Sequence, residues 1–265
     1  MAEVLFEKKG HIAYIKLNRP EVHNAINLEM GERLVDIWKE FRDDDDLWVA
    51  IITGAGEKAF SSGADLKSLG DIQKQSSLWE LFTQSDRYPD FAGITKNLQV
   101  WKPKIAAING YCFGAGLELA LSCEIRIASE RATFAFPETG WGMIPGGGGT
   151  QRLPRMVSPG LAFEMILTGK RIDTKTAYRE GLINLIAEDN EALASEAEKM
   201  AANMCDRAPL SLQAATQLIW QGVSMPLDKG LQLETALANL LRSTKDAKEG
   251  SRAFAENRSP DFKGE

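Results

Sequence analysis

Residues 104–121 read Lys104-Ile105-Ala106-Ala107-Ile108-Asn109-Gly110-Tyr111-Cys112-Phe113-Gly114-Ala115-Gly116-Leu117-Glu118-Leu119-Ala120-Leu121. The unbroken apolar run Ile105–Ile108 has the pattern of a strand buried on both faces. Asn109-Gly110 ends it, and a short apolar helix is expected from about Ala115 to Ser122. A buried strand followed by a short helix is a building unit of α/β folds. Glu118 alone interrupts the apolar character between Gly114 and Leu121, on the first turn of that helix. An acid there suits the helix dipole, so its position alone does not make it functional.

Upstream, Val4-Leu5-Phe6 and Ile12-Ala13-Tyr14-Ile15 alternate as two strands around a turn at Lys9-Gly10. Asn27 is the expected N-cap of an amphipathic helix carrying Met30, Leu34, Ile37, Trp38 and Phe41. That helix should stop at the acidic run Asp43–Asp46, which a helix C-terminus disfavours. Val49–Thr53 reads as another buried strand, and Ile125–Ala128, Thr133–Phe136 and Leu182–Ala187 carry strand character. From Asn190 onward only helices are expected, with breaks near Pro209, Pro226 and Thr244. Residues 1–190 are therefore assigned to a core of strand-plus-helix units, and 191–265 to a helical appendage.

The composition narrows the chemistry. Lys and Arg number 31 against 37 Asp and Glu, a net charge of −6, which argues against a broad nucleic-acid-binding surface. Three cysteines, with no CxxC pair, exclude a disulfide framework and suit a reducing compartment. The acidic start and the lack of a long apolar run point to a cytoplasmic protein without a membrane span. There are only two histidines, His11 and His23, so a three-histidine metal site cannot be built. Proton transfer is then expected to fall to carboxylates, with no metal.

Nucleotide motifs fail on spacing. After Gly54-Ala55-Gly56 the third glycine of a dinucleotide fingerprint is replaced by Ala59, and after Gly114-Ala115-Gly116 by Leu119. Gly146-Gly147-Gly148-Gly149-Thr150-Gln151 lacks the Lys-Ser/Thr pair of a P-loop. Glu138, at the end of the strand before it, could be an ordinary loop acid. Paired with Glu118 in an apolar cleft it becomes more, because two converging carboxylates cannot both ionise cheaply and one keeps its proton near neutral pH. The turns Gly63-Ala64-Asp65 and Gly114-Ala115-Gly116 can bring backbone N–H groups close to a ligand oxygen, the makings of an oxyanion hole.

Together these stretches resemble the enoyl-CoA hydratase/isomerase (crotonase) superfamily over essentially the full chain. The motifs run in order: Leu17-Asn18-Arg19-Pro20 with Asn24-Ala25, then Ala59–Lys67, Lys102–Gly110, Gly114–Ala120, Phe136-Pro137-Glu138, Gly142, Pro145–Leu153 and Arg258–Phe262. The resemblance implies a spiral of ββα units with a C-terminal helical region that builds trimers, often paired into hexamers. It assigns the oxyanion-hole N–H groups to Ala64 and Ala115, the catalytic carboxylates to Glu118 and Glu138, and the lining of the water site to Gly146.

The implied activity is hydration of a 2-enoyl-CoA thioester, CoA being part of the substrate and no separate cofactor being required. Enoyl-CoA isomerase is the nearest alternative, needing mainly the Glu138-type acid/base; a non-catalytic acyl-CoA or RNA binder is a more distant one. Trp79, Phe82 and Trp141 are candidates for the acyl pocket. Lys67 is a candidate partner for a CoA phosphate, and His23 a loop residue near CoA. Cys112 and Cys123 are expected to be small core residues.

Overall fold

The computed structural model describes residues 2–67 and 92–265. Alternating and fully apolar runs become strands as expected: β1 (Val4–Lys9), β2 (Ile12–Leu17), β3 (Val49–Gly54), β5 (Lys104–Ile108), β7 (Ile125–Ser129) and β10 (Leu185–Ala187) form one sheet in the order β1-β2-β3-β5-β7-β10. β1 and β2 are antiparallel, and every other neighbouring pair in this sheet is parallel. The registers Ile51↔Ile105 and Ile105↔Ile125 put apolar side chains side by side.

A second sheet was not foreseen. It consists of β4 (Ala59–Ser61), β6 (Tyr111–Phe113), β8 (Thr133–Ala135) and β9 (Ile172–Asp173), in that order. Of its four strands only β8 carries strand character in the sequence pattern. The chain alternates between the sheets: β3 then β4, β5 then β6, β7 then β8. Each passage from the large sheet to the small one is a tight loop, and each exit from the small sheet is a place where backbone can face a ligand.

Buried asparagines fix these loops. The Asn109 side chain accepts from the Gly54 N–H at 3.2 Å and donates to the Gly54 and Gly56 carbonyls at 3.0 and 2.8 Å. Asn24, at φ +55, donates to the Ala55 and Ala59 carbonyls at 3.0 and 2.8 Å. The two side chains therefore clamp both ends of the passage from β3 to β4.

Helix α1 (Leu28–Asp43) begins at Asn27, whose side chain accepts from the Met30 N–H at 2.8 Å. It buries Met30, Leu34, Ile37, Trp38 and Phe41 in the main core. It stops at the acidic run, where the buried Lys102 ammonium donates to the Phe41 and Asp44 carbonyls at 2.9 and 2.6 Å. Helix α2 (Ala115–Leu121) packs so tightly that a Cβ on Gly116 would lie 2.6 Å from the Ser61 Cβ. Cys112 and Cys123 are fully buried core residues.

Further along, the described chain forms α3 (Gly149–Arg152), α4 (Pro159–Thr168), α5 (Thr174–Arg179), α6 (Asn190–Cys205), α7 (Pro209–Gly222), α8 (Leu227–Arg242) and α9 (Lys245–Ala255). Helix α6 lays Leu193, Ala197 and Ala201 on the large sheet against Val49, Ile105 and Ile127. Helix α8 buries none of its residues and leaves Leu227, Leu231 and Leu240 exposed. Asp246, in the first turn of α9, accepts from the Lys263 and Gly264 N–H groups, which pins the C-terminal segment. Among the described residues no helix is long and apolar enough to cross a membrane.

Candidate active site

Where β4 and β6 leave the small sheet, they run side by side. Gly63 adopts φ +103, and a Cβ there would lie 3.0 Å from the Phe113 carbonyl and 3.4 Å from the Ala115 nitrogen. Glycine is thus required for both conformation and approach. Next to it, Ala64 forms an isolated parallel bridge with Ile26 through Ile26 N–H to Gly63 O and Asp65 N–H to Ile26 O, each at 2.8 Å. That pairing leaves the Ala64 N–H out. Ala115 is the first residue of α2, following Gly114 at φ +51, so its N–H has no acceptor within the helix. The Ala64 and Ala115 turns therefore adjoin, and both residues are half-buried.

Glu118 lies one turn into α2 and is only 4% exposed. Its Oε1 accepts from the Gly147 and Gly149 N–H groups at 2.7 and 2.8 Å. Burial raises its pKa above the ordinary carboxylate value; the two N–H donors, and at longer range Lys96 and Arg152, work against that rise. A Cβ on Gly147 would sit 2.7 Å from Oε2, so the glycine lets the ribbon close over the carboxylate.

Glu138 opens the single 3₁₀ turn Glu138–Trp141 after β8. Its Oε2 is buried with no hydrogen-bond partner among the described residues. Its Oε1 is near enough to Gly114 that a Cβ there would lie 3.0 Å from it, which places this carboxyl beside the Ala115 turn. Burial, reinforced by the charge of Glu118, pushes its pKa up to about 7. One carboxyl is held by backbone donors, and the other keeps a proton near neutral pH. The pair can therefore offer a base and an acid at once.

The remaining sequence candidates are dispersed. Gly146 is exposed, with only the Ile144 carbonyl near its Cβ position, at 3.7 Å, so it adjoins the ribbon without touching Glu118. Lys67 is exposed, and its backbone N–H donates to Asp65 Oδ1. Trp141 is 67% exposed. His23 is exposed at φ +55 and meets Tyr111 edge-on at 6.0 Å. Trp79 and Phe82 lie outside the described residues. Among the described residues no group of three His, Cys, Asp or Glu side chains could hold a metal ion.

The sequence reading missed Gly147 and Gly149. The glycine run lacks the Lys-Ser/Thr pair of a phosphate loop, and its backbone donors serve a carboxylate instead of a phosphate.

Comparison with known proteins identifies the family. Residues 7–265 match the family model described as enoyl-CoA hydratase/isomerase. The (E)-benzylidenesuccinyl-CoA hydratase of Thauera aromatica is 41% identical over 261 residues, covering 98% of this chain and 99% of that protein. A carnitinyl-CoA dehydratase of Citrobacter koseri is 38% identical over 271 residues and the full length of both. The crystal structure of an enoyl-CoA hydratase from Bacillus anthracis superposes with a TM-score of 0.89 at 35% identity, covering all of both chains. The chain belongs to the enoyl-CoA hydratase/isomerase (crotonase) family, whose enzymes act on acyl-CoA thioesters.

Proposed function

We propose that this enzyme catalyses the reversible syn addition of water across the 2,3 double bond of a 2-enoyl-CoA thioester. The observation that carries the reading is the inequality of its two carboxyls: Glu118 accepts from two backbone N–H groups, while Glu138 has a buried oxygen with no partner among the described residues and a pKa of about 7. The Ala64 and Ala115 N–H groups hold the thioester oxygen and stabilise enolate character as charge moves onto it. Glu118 takes a proton from the water as its oxygen attacks C3. Glu138 delivers its own proton to C2, and proton exchange between the two carboxyls resets the pair. Every charge and proton task falls to protein groups, so the reaction as written draws on no metal or redox cofactor, and CoA enters only as part of the substrate.

The two relatives, a hydratase and a dehydratase, support water addition and removal as the reaction type. We assign residues 1–190 to the site-bearing core and 191–265 to assembly. The exposed Leu227, Leu231 and Leu240 on α8, with Ile219 of α7 and Val223 just after it, support a homotrimer or a pair of trimers. Incubation with crotonyl-CoA tests the activity. Loss of the conjugated-enoyl absorbance is expected; no loss, together with a rise on a 3-enoyl-CoA, would make the enzyme an isomerase instead.

A further inference from the structure

The glycine ribbon that holds Glu118 is itself held from behind. Arg152 Nη1 donates to the Gly147 carbonyl at 3.1 Å, and its Nη2 donates to the Thr95 carbonyl at 2.8 Å. Gly148, at φ +106, lies so close that a Cβ there would sit 2.0 Å from Nη1, so the guanidinium is flush against the ribbon. Its other side rests on the Trp220 ring of α7, with 5.9 Å to the ring centroid. Trp220 is fixed in turn, since its indole N–H donates to Glu124 Oε1 at 2.8 Å. The same carboxylate accepts from the Lys104 N–H at 2.7 Å and pairs with the Lys104 ammonium at 3.0 Å. A cavity of about 210 Å³ borders Arg152, Trp220, Lys104 and Ser122, so close packing alone does not hold the guanidinium in place.

We infer that Arg152, seated on Trp220, is a positioning residue for Glu118: it holds Gly147 so that the Gly147 N–H stays aimed at Oε1, and it keeps a positive charge behind the carboxylate. The inference rests on the reading of Glu118 as the group that activates water. It also gives α7, a helix outside the site-bearing core, a direct line to the site through Trp220, Arg152 and Gly147. Loss of the guanidinium removes a nearby positive charge and loosens a donor, and both changes make Glu118 harder to ionise.

The test follows the Glu118 carboxyl stretch, identified by infrared difference between wild type and Glu118→Gln, through a pH titration. In Arg152→Gln the midpoint is expected to rise, and Arg152→Lys should bring it part of the way back. Trp220→Leu, which leaves the arginine in place but unseated, should shift it in the same direction by less. On crotonyl-CoA, Arg152→Gln should lower kcat by about tenfold to a hundredfold, with KM little changed, the pattern of a misplaced rather than a missing group.

An unchanged midpoint in folded Arg152→Gln, or a loss confined to KM, overturns the inference. If Glu118→Gln retains hydration while the midpoint still shifts in Arg152→Gln, Arg152 does position Glu118 and it is the proposed role of Glu118 that fails.

Discussion

Glu118 and Glu138 occupy one site but differ in how they are held: Glu118 Oε1 accepts from the Gly147 and Gly149 N–H groups, whereas Glu138 Oε2 is buried without a partner among the described residues. The difference comes from backbone geometry. The glycine ribbon bends over α2 and offers its N–H groups to Glu118, while the 3₁₀ turn that carries Glu138 leaves its Oε2 buried and, among the described residues, without a donor. Such an asymmetry lets two chemically identical groups take different protonation states at one pH.

The pH dependence of hydration should follow Glu138. Its folded pKa of about 7 means that the proton donor is present below that value and lost above it. The kcat/KM for crotonyl-CoA hydration is expected to fall as pH rises through about 7. Dehydration of the 3-hydroxyacyl-CoA product needs the same single proton shared by the pair, and since hydration consumes no net proton its kcat/KM should fall through the same pH. A kcat/KM that stays flat across this range in both directions would contradict the assignment.

The same shift should be visible in stability. A carboxyl whose pKa is raised on folding contributes stability that is complete below the unfolded value, near 4.5, and lost as pH climbs through about 7. Glu138→Gln removes that loss. It should be more stable than wild type at pH 8, by at most about 3 kcal/mol, with the gap closing at pH 4. Urea denaturation at the two pH values measures it.

Gly147→Ala should damage catalysis more than folding. Its Cβ would lie 2.7 Å from Glu118 Oε2, so the carboxylate must move off the ribbon. A loss of about 10²-fold in kcat is expected from a displacement of this kind. Gly160→Ala, in α4 where nothing lies within 4 Å of the new methyl, is the control. It should leave kcat unchanged and raise stability by about 0.4–1 kcal/mol.

Asn109→Ala should do the reverse. It strips partners from the Gly54 N–H and from the Gly54 and Gly56 carbonyls at a buried crossing between the sheets. Leaving such groups unsatisfied costs about 1–3 kcal/mol each, and some of them will find water, so a total near 2–4 kcal/mol is expected. Chemical denaturation should show the loss in full even where the remaining folded enzyme turns over normally.

Most of the large sheet was legible because β1, β2, β3, β5 and β7 are five or six residues long and apolar enough to show their pattern, and α1 was legible because Asn27 and the acidic run mark its two ends. The small sheet was not: β4, β6 and β8 have three residues each, and β9 has two, too few for any period to register. The passage from β3 into β4 is held by the Asn24 and Asn109 clamps, which depend on contacts between residues about 30 to 55 positions apart. Glu118 and Glu138 stood out because each is an acid in an apolar setting. What holds Glu118 did not, because Gly147 and Gly149 act through backbone N–H groups that no side-chain motif records. Arg152 and Trp220 are 68 positions apart (220 − 152) and meet only in the folded chain.

The central claim, that two unlike carboxyls add water to an enoyl thioester, is tested most directly by the hydration rate of crotonyl-CoA in Glu118→Gln and Glu138→Gln, each shown to be folded and able to bind the substrate. Either amide keeps the shape of the side chain and removes its proton chemistry. A loss of roughly 10²–10⁴-fold in kcat is expected in each, with KM close to that of the wild type. Wild-type turnover in either variant would contradict the account.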